Sequence, residues 1–295
     1  MSSAPEKRQT KYVIVTPVRD EKQYILRTIE SVTTQTVLPA EWIIVDDGSR
    51  DSTGKIIDDC ARQYPWISAL HRNDRGQRVP GTGVMEAFYD GYNSLRSKDW
   101  EFIVKLDGDV GLKPDYFEKC FERFQDNPKL GICGGLMYRI RNGARELERH
   151  PLFHVRGPIK LYKRACWEAI GGLIKAPGWD TVDEVQANRL GWQTVSFPDL
   201  EVIHYRPTGA EQGAWRDNVK NGRANYISGY HPLFMMVKCL KRLFQRPYIT
   251  GAVGQAYGFI TGYTKHIPQV EDQALIRYVR SQQIRRLLFM KSIWK

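Results

Sequence analysis

VIVTPVRDE (Val13–Glu21), IIVDDGSRDST (Ile43–Thr53) and IVKLDGDV (Ile103–Val110) decide the fold. Each is a short apolar, β-branched run that stops abruptly at acidic and turn-prone residues. Runs of that length without polar alternation predict strands buried on both faces, here Tyr12–Thr16, Glu41–Val45 and Glu101–Leu106.

The segments around them alternate in period. Ile25, Ile29 and Val32 recur at helical spacing, and Asp51 or Ser52 can cap a helix that carries Ile56, Ile57 and Cys60. A strand at Trp66–Leu70 and a helix around Val84–Leu95 follow. After Pro114, suited to a first helical turn, Phe117, Phe121 and Phe124 predict another helix, and Leu130–Leu136 another strand. Strand and helix in alternation predict an α/β fold, an open and mostly parallel sheet flanked by helices over residues 11–210, with a helical basic extension over 211–295. Open α/β sheets bind ligands at the carboxyl ends of their strands, so the polar residues after each strand are the ones that carry chemistry.

Composition supports a folded enzyme-sized chain. Of 295 residues 42% are hydrophobic, which supplies a core and excludes disordered and fibrous classes, and no internal repeat is visible. Cys60, Cys120, Cys133, Cys166 and Cys239 form no CxxC and no Cys/His ligand spacing, so neither a zinc ribbon nor a disulfide scaffold is expected. MSSAPEKRQTK at the start has no apolar run to act as a secretory signal, and a cytoplasmic location is expected. The net charge of +11 is concentrated late: from Tyr230 to Lys295 eleven Lys and Arg face only Glu271 and Asp272. Such a tail suits anionic lipid, nucleic acid or plain solvent.

Asp46 and Asp47 after the second strand, and Asp107 and Asp109 after the one at Glu101–Leu106, are expected to converge on one sheet edge. Like charges gathered there need a counter-charge, and a divalent metal with a phosphate ligand meets that need. In DGD, residues i and i+2 of an extended segment point the same way, so one carboxylate can hold a metal and the other a ribose hydroxyl or a metal-bound water. The central Gly108 lets another backbone or a phosphate come close.

The ordered set VIVTPVRDE, IIVDDGSRDST and IVKLDGDV resembles the nucleotide-binding half of inverting family 2 glycosyltransferases of the GT-A fold, over residues 11–210. The resemblance implies a nucleotide-binding half at 11–110 and an acceptor half at 111–210. It implies that Thr16, Pro17, Arg19 and Glu21 wrap the nucleoside and that Asp46 or Asp47 meets the base. Arg75 and Arg78 fill the place of the family's basic, Gly-rich loop. Asp107 and Asp109 stand for its D-x-D, with Asp109 the ligand of Mg²⁺ or Mn²⁺ on the sugar-nucleotide diphosphate. His204 matches the family's late histidine, a second metal ligand, and Arg206 can meet the diphosphate.

In GWDTVDEVQANRLGW, counting back from Gly191 puts the family's catalytic base on Asp180, with Trp179 in place of the usual Glu. Asp183 lies one helical turn on and can face the same cleft. Thr181 and Glu184 also read as a capping box, with Asp183 suited to a helix N-terminus. The expected partners are a nucleoside-diphosphate sugar and a glycan or lipid-linked sugar acceptor, in surface polysaccharide synthesis, with no nucleic acid. AWRDN (Ala214–Asn218) only approaches the Q-x-x-R-W of processive members, so transfer of a single sugar is expected.

PLFMMVKCLKRLF (Pro232–Phe244) reads as an amphipathic helix that either lies in a membrane interface or covers the core with Leu233, Phe234, Val237 and Leu240. The uncharged stretch between Arg246 and Lys265 is too rich in Gly and Tyr to span a bilayer. Three other readings carry less. A sugar nucleotidyltransferase wants an N-terminal Gly-rich phosphate loop that TPVRDE lacks, a nucleic-acid binder has no use for DGD, and the lone G-x-G at Gly81–Gly83 is no dinucleotide fingerprint.

Overall fold

Strands β1 (Tyr12–Val18), β2 (Glu41–Asp46), β3 (Ile67–His71) and β4 (Phe102–Leu106) pair in parallel in the order β3-β2-β1-β4. They are linked by α1 (Ile25–Thr33), α2 (Thr53–Gln63) and α3 (Thr82–Ser94). The computed structural model describes residues 10–76, 81–141, 143–206, 213–245 and 247–294. The strands are buried on both faces, as their unbroken apolar runs require: Ile14, Ile44 and Val104 pack on one side, Val13, Val15, Ile43 and Ile103 on the other. Each predicted element of this half is present, the strands running one to two residues further than expected or starting one later.

Beyond β4 the sheet changes character. β5 (Val110–Leu112), α4 (Tyr116–Asp126), β6 (Leu130–Arg141), β7 (Ala144–Leu147), β8 (Ile159–Lys163), α5 (Arg164–Ile170), α6 (Trp179–Arg189) and β9 (Gln193–His204) follow. β8 runs antiparallel to both β4 and β6, β5 is antiparallel to β9, and only β6 and β9 continue the parallel pattern. The mostly parallel arrangement therefore holds for the first half, and the second is mixed. Sequence patterning overlooks β8 because IKLYK carries a lysine at a fully buried position, and buried charge breaks the apolar signature of a central strand.

The extension folds as α7 (Gly213–Ile227), α8 (Pro232–Arg242), α9 (Tyr248–Thr264) and α10 (Gln273–Leu287). α9 lies unusually close to α7: a Cβ on Gly222 would stand 2.0 Å from the Gln255 carbonyl oxygen, and one on Gly258 2.0 Å from that of Val219. Glycines in the uncharged stretch thus serve helix contact. Tyr226, Ile227, Met235, Phe259, Leu275 and Val279 form a core with Val182 and Val185 of α6, which fixes the extension to the sheet-bearing half. Of the residues expected to cover the core from α8, Leu233 and Leu240 are exposed and Phe234 and Val237 half-buried, while Met235 is the buried one. Among the described residues no helix is long and apolar enough to cross a membrane.

Candidate functional site

The chain leaves β4 into the DGD turn, which is clamped by Asp107 N–H donating to the Pro158 carbonyl at 2.8 Å. Gly108 is needed here for packing: a Cβ would approach Val18 Cγ1 to 2.5 Å, so the space expected to admit a phosphate is filled by β1. Asp109 is buried, and Val110 immediately after it pairs with His204 across β5 and β9. That register brings His204 Nε2 to 3.5 Å from Asp109 Oδ2. It depends on a break in β9, where Gly135 pairs with Phe197 but Leu136 with Glu201, so that Pro198 to Leu200 bulge out. Arg206 completes the group, with Nε 3.6 Å from Asp109 Oδ2 and Nη2 hydrogen-bonded to Glu21 Oε2.

Behind the imidazole stands a residue the sequence reading missed. Glu148, just past β7, lies with Oε1 3.7 Å from His204 Nδ1, while its Oε2 accepts from Arg156 at 2.8 Å. Burial pushes His204 down, but Asp109 and Glu148 outweigh it and hold the ring up at about 9. Burial likewise opposes the charge on Asp109, yet His204, Arg206 and Lys105 keep its carboxyl below the ordinary range.

Asp109 Oδ1 is buried and has no hydrogen-bond partner among the described residues. An orphaned buried carboxylate oxygen is costly unless something fills its coordination. With an imidazole nitrogen beside the same carboxylate, the donor set of oxygen and nitrogen fits a transition ion such as Mn²⁺ better than Mg²⁺, which prefers oxygen alone. Among the described residues no group of three or more His, Cys, Asp or Glu is arranged to hold a metal, so an ion held by Asp109 and His204 would take its other ligands from substrate or water.

The strand ends of β1 and β2 form a second group. Thr16 and Pro17 are placed inside β1, not in a loop after it, and the Thr16 hydroxyl accepts from Trp42 Nε1 at 2.9 Å. Arg19, buried, donates to the Asp47 carbonyl at 2.7 Å and pairs with Asp74. The two adjacent aspartates diverge. Asp46 closes a turn, accepting from Ser49 N–H at 2.9 Å and facing His71 Nδ1 at 3.1 Å. Asp47 is gripped by Arg72 and Arg75, the latter also bonded to Glu86. Arg78 lies outside the described residues.

The third group separates Asp180 from Asp183. α6 starts at Trp179, so Thr181 is already helical and makes no cap, and the expected capping box is absent. Glu184 instead accepts from Val155 N–H at 2.6 Å, His154 Nδ1 at 2.8 Å and Lys160 Nζ at 2.7 Å. Asp183 accepts from Lys160 on both oxygens, at 3.0 and 2.9 Å, and from the Tyr162 hydroxyl. Burial, with the Glu184 carboxylate beside it, pushes Asp183 up to about 6 against the pull of Lys160.

Asp180, half-buried in the first turn of α6, has no hydrogen bond to its carboxylate from any described residue. Burial raises its pKa, but His154, Lys160, Arg156 and Lys105 together bring it below the usual value, so it is ionised at neutral pH. Its Oδ2 stands 3.4 Å from where a Cβ on Gly157 would be, and glycine leaves that approach open. Lys105 joins the groups. Its buried Nζ bonds Asp107 and, at 2.8 Å, the Gly157 carbonyl, with the Trp179 ring centroid 5.1 Å away. Its charge acts on Asp109 and Asp180 alike. Lys105 and Lys160 left one signal in the sequence, a lysine in the interior of each strand, flanked by apolar residues.

Solved structures share this sheet. A mannosyltransferase from Pyrobaculum calidifontis, solved with GDP-Man and Mn²⁺, superposes with a TM-score of 0.56 at 14% identity, covering 97% of this chain and 77% of that one. TarS 1-349 of S. aureus in complex with UDP-GlcNAc gives 0.54 at 14% identity, covering 94% and 81%. The family model described as glycosyl transferase family 2 matches residues 13–176, and the chain belongs to that family. Relatives include the glycosyltransferase GlyG of Streptococcus pneumoniae, 27% identical over 121 residues, 41% of this chain and 37% of GlyG. An Escherichia coli chondroitin synthase is 29% identical over 130 residues, 44% of this chain and 18% of the synthase. The chain thus spans well under half the length of these curated relatives.

Proposed function

We propose that this family 2 domain moves a single sugar from a nucleoside-diphosphate sugar to an acceptor hydroxyl with inversion at the anomeric carbon. The observation that carries the reading is the buried Asp109 carboxylate at the carboxyl edge of the sheet, one oxygen beside His204 and the other without a partner among the described residues. Arg19, Glu21, Asp46, Asp47 and Arg75 form the nucleoside end, where Arg75 and Arg72 neutralise Asp47 until a base competes for it. Asp107, held by Lys105, would meet the ribose or a bound water. GDP-Man and Mn²⁺ in one fold neighbour and UDP-GlcNAc in another support a sugar-nucleotide donor here.

Asp180 serves as general base. Its carboxylate is charged, free of hydrogen bonds from the described residues and fixed at a helix N-terminus, so it takes the proton of an incoming hydroxyl as the hydroxyl attacks opposite the leaving diphosphate. Asp183 cannot share that work, because both its oxygens are committed to Lys160 and Tyr162; it positions α6 instead. Arg206 and Lys105 place positive charge where the diphosphate accumulates negative charge. Mg²⁺ or Mn²⁺, held by Asp109 and His204, would supply Lewis-acid stabilisation to that leaving group. No covalent enzyme intermediate is required.

The acceptor is a glycan or a lipid-linked sugar, and the product belongs to surface polysaccharide synthesis. Support comes from a poly-beta-1,6-N-acetyl-D-glucosamine synthase of Staphylococcus epidermidis, 28% identical over 156 residues. The test is release of nucleoside diphosphate from a panel of UDP-, GDP- and dTDP-sugars with Mn²⁺ or Mg²⁺. Metal-dependent release from one donor is expected. Absence of release and of binding for every donor overturns the reading.

A further inference from the structure

The outer faces of α8 and α9 are apolar and uncovered. Between them runs a groove of about 480 Å³ lined by side chains such as Met236, Cys239, Leu240, Val253, Phe259 and Ile260. Ile249 is 70% exposed and Ile260 58%, on the side of α9 away from its glycine contact with α7. Continuous apolar exposure of this kind marks an interaction face.

The chemistry around it selects the partner. A second cavity, of about 670 Å³, lies along the other flank of α8 and is lined by Lys238, Lys241, Arg242 and Arg286 with no acidic residue. From Pro232 to Lys265 the sequence holds five Lys and Arg and no Asp or Glu. Two phenylalanines project at the rim, Phe244 after α8 at 83% exposure and Phe289 after α10 at 94%. Phe289 takes a left-handed φ of 56°, a conformation that bulky residues rarely adopt, and it lines the cationic cavity. A second copy of the chain is a poor match, since a two-fold contact here would set these cations against their own equivalents. Apolar side chains ringed by cations and projecting aromatics match the boundary between lipid tails and anionic headgroups.

We propose that α8, α9 and the end of α10 form a docking face for an anionic lipid bilayer, with Leu240, Phe244 and Ile260 entering the interface and Lys241, Arg242 and Arg286 meeting lipid phosphates. The chain lies on the bilayer through this face, and among the described residues no helix is long and apolar enough to cross it. The face stands on its own geometry, independent of the donor reading.

Sedimentation of the full chain with phosphatidylcholine vesicles, with and without one-third phosphatidylglycerol, tests the proposal in the absence of any donor. At least tenfold stronger partitioning onto the anionic vesicles is expected, weakening as salt is raised. Leu240→Asp with Ile260→Asp should abolish it, and Lys241→Glu with Arg286→Glu should remove the anionic preference. All four positions line open surface, so the thermal midpoint should not move. Equal partitioning onto both vesicles, no partitioning at all, or a soluble dimer that Ile260→Asp dissociates each overturns the proposal. Failure here leaves nucleoside diphosphate release untouched, so it is distinguishable from failure of the transferase reading.

Discussion

At the acidic edge of the sheet nearly every charge meets an opposite one: Arg19 with Asp74, Arg75 with Asp47 and Glu86, Arg206 with Glu21, and Lys160 with Asp183 and Glu184. Along α8 and α9 the sequence offers cations and no acid to meet them. The contrast teaches that paired charge builds position while uncompensated charge waits for a ligand. Within the edge the same rule separates neighbours, since the Asp183 carboxylate is hydrogen-bonded to Lys160 and that of Asp180 takes no hydrogen bond from the described residues.

The strongest way to break that distinction is Asp180→Asn. Losing a general base costs about 10²- to 10⁴-fold in turnover, with donor affinity and thermal midpoint unchanged. Asp183→Asn should instead lower the thermal midpoint, and a turnover loss without a stability loss would transfer the base to Asp183. Next comes Lys160→Met, which leaves two buried carboxylates without their cation. Removing one partner of a buried ion pair costs about 3–5 kcal/mol, to be read from denaturant unfolding. A change near zero would mean that Lys160 does not stabilise the fold through these carboxylates.

Asp109→Ala tests the orphaned oxygen. Nucleoside diphosphate release should fall about 10²- to 10³-fold, as for other groups that stabilise developing charge. Release that survives the substitution would remove Asp109 from the site.

The smallest effect concerns pH. His204 has an ordinary value of 6.5 and is held at about 9. A raised histidine contributes stability that is fully present below pH 6.5 and lost as pH rises through 9, so the metal-free protein should melt earlier across that window. Because a metal must displace that proton, Mn²⁺ affinity should rise by up to about tenfold per pH unit over the same range, measured by titration calorimetry. A flat affinity would mean that His204 does not ligate.

How much was legible depends on how local the determinant is. Buried parallel strands announce themselves by unbroken apolar runs, so β1, β2 and β4 and the acids that end them could be read directly. Strand β8 could not, because its buried Lys160 is compensated by residues more than twenty positions away on α6. Glu148 carried no local signal either, since its role comes from standing beside a histidine on another strand.

The sequence by itself determined the alternating α/β pattern, the acidic residues at the strand ends and the acid-free basic stretch, because burial period and charge are properties of neighbouring residues. Only the tertiary structure decided which of those residues act together. The β5–β9 register and the bulge after Phe197 bring His204 to Asp109, and the antiparallel entry of β8 carries Lys160 to Asp183 and to the Asp180 main-chain carbonyl, leaving the Asp180 carboxylate without a hydrogen bond from the described residues. Such pairings join residues tens of positions apart, and chain entropy favours none of them until the sheet has formed.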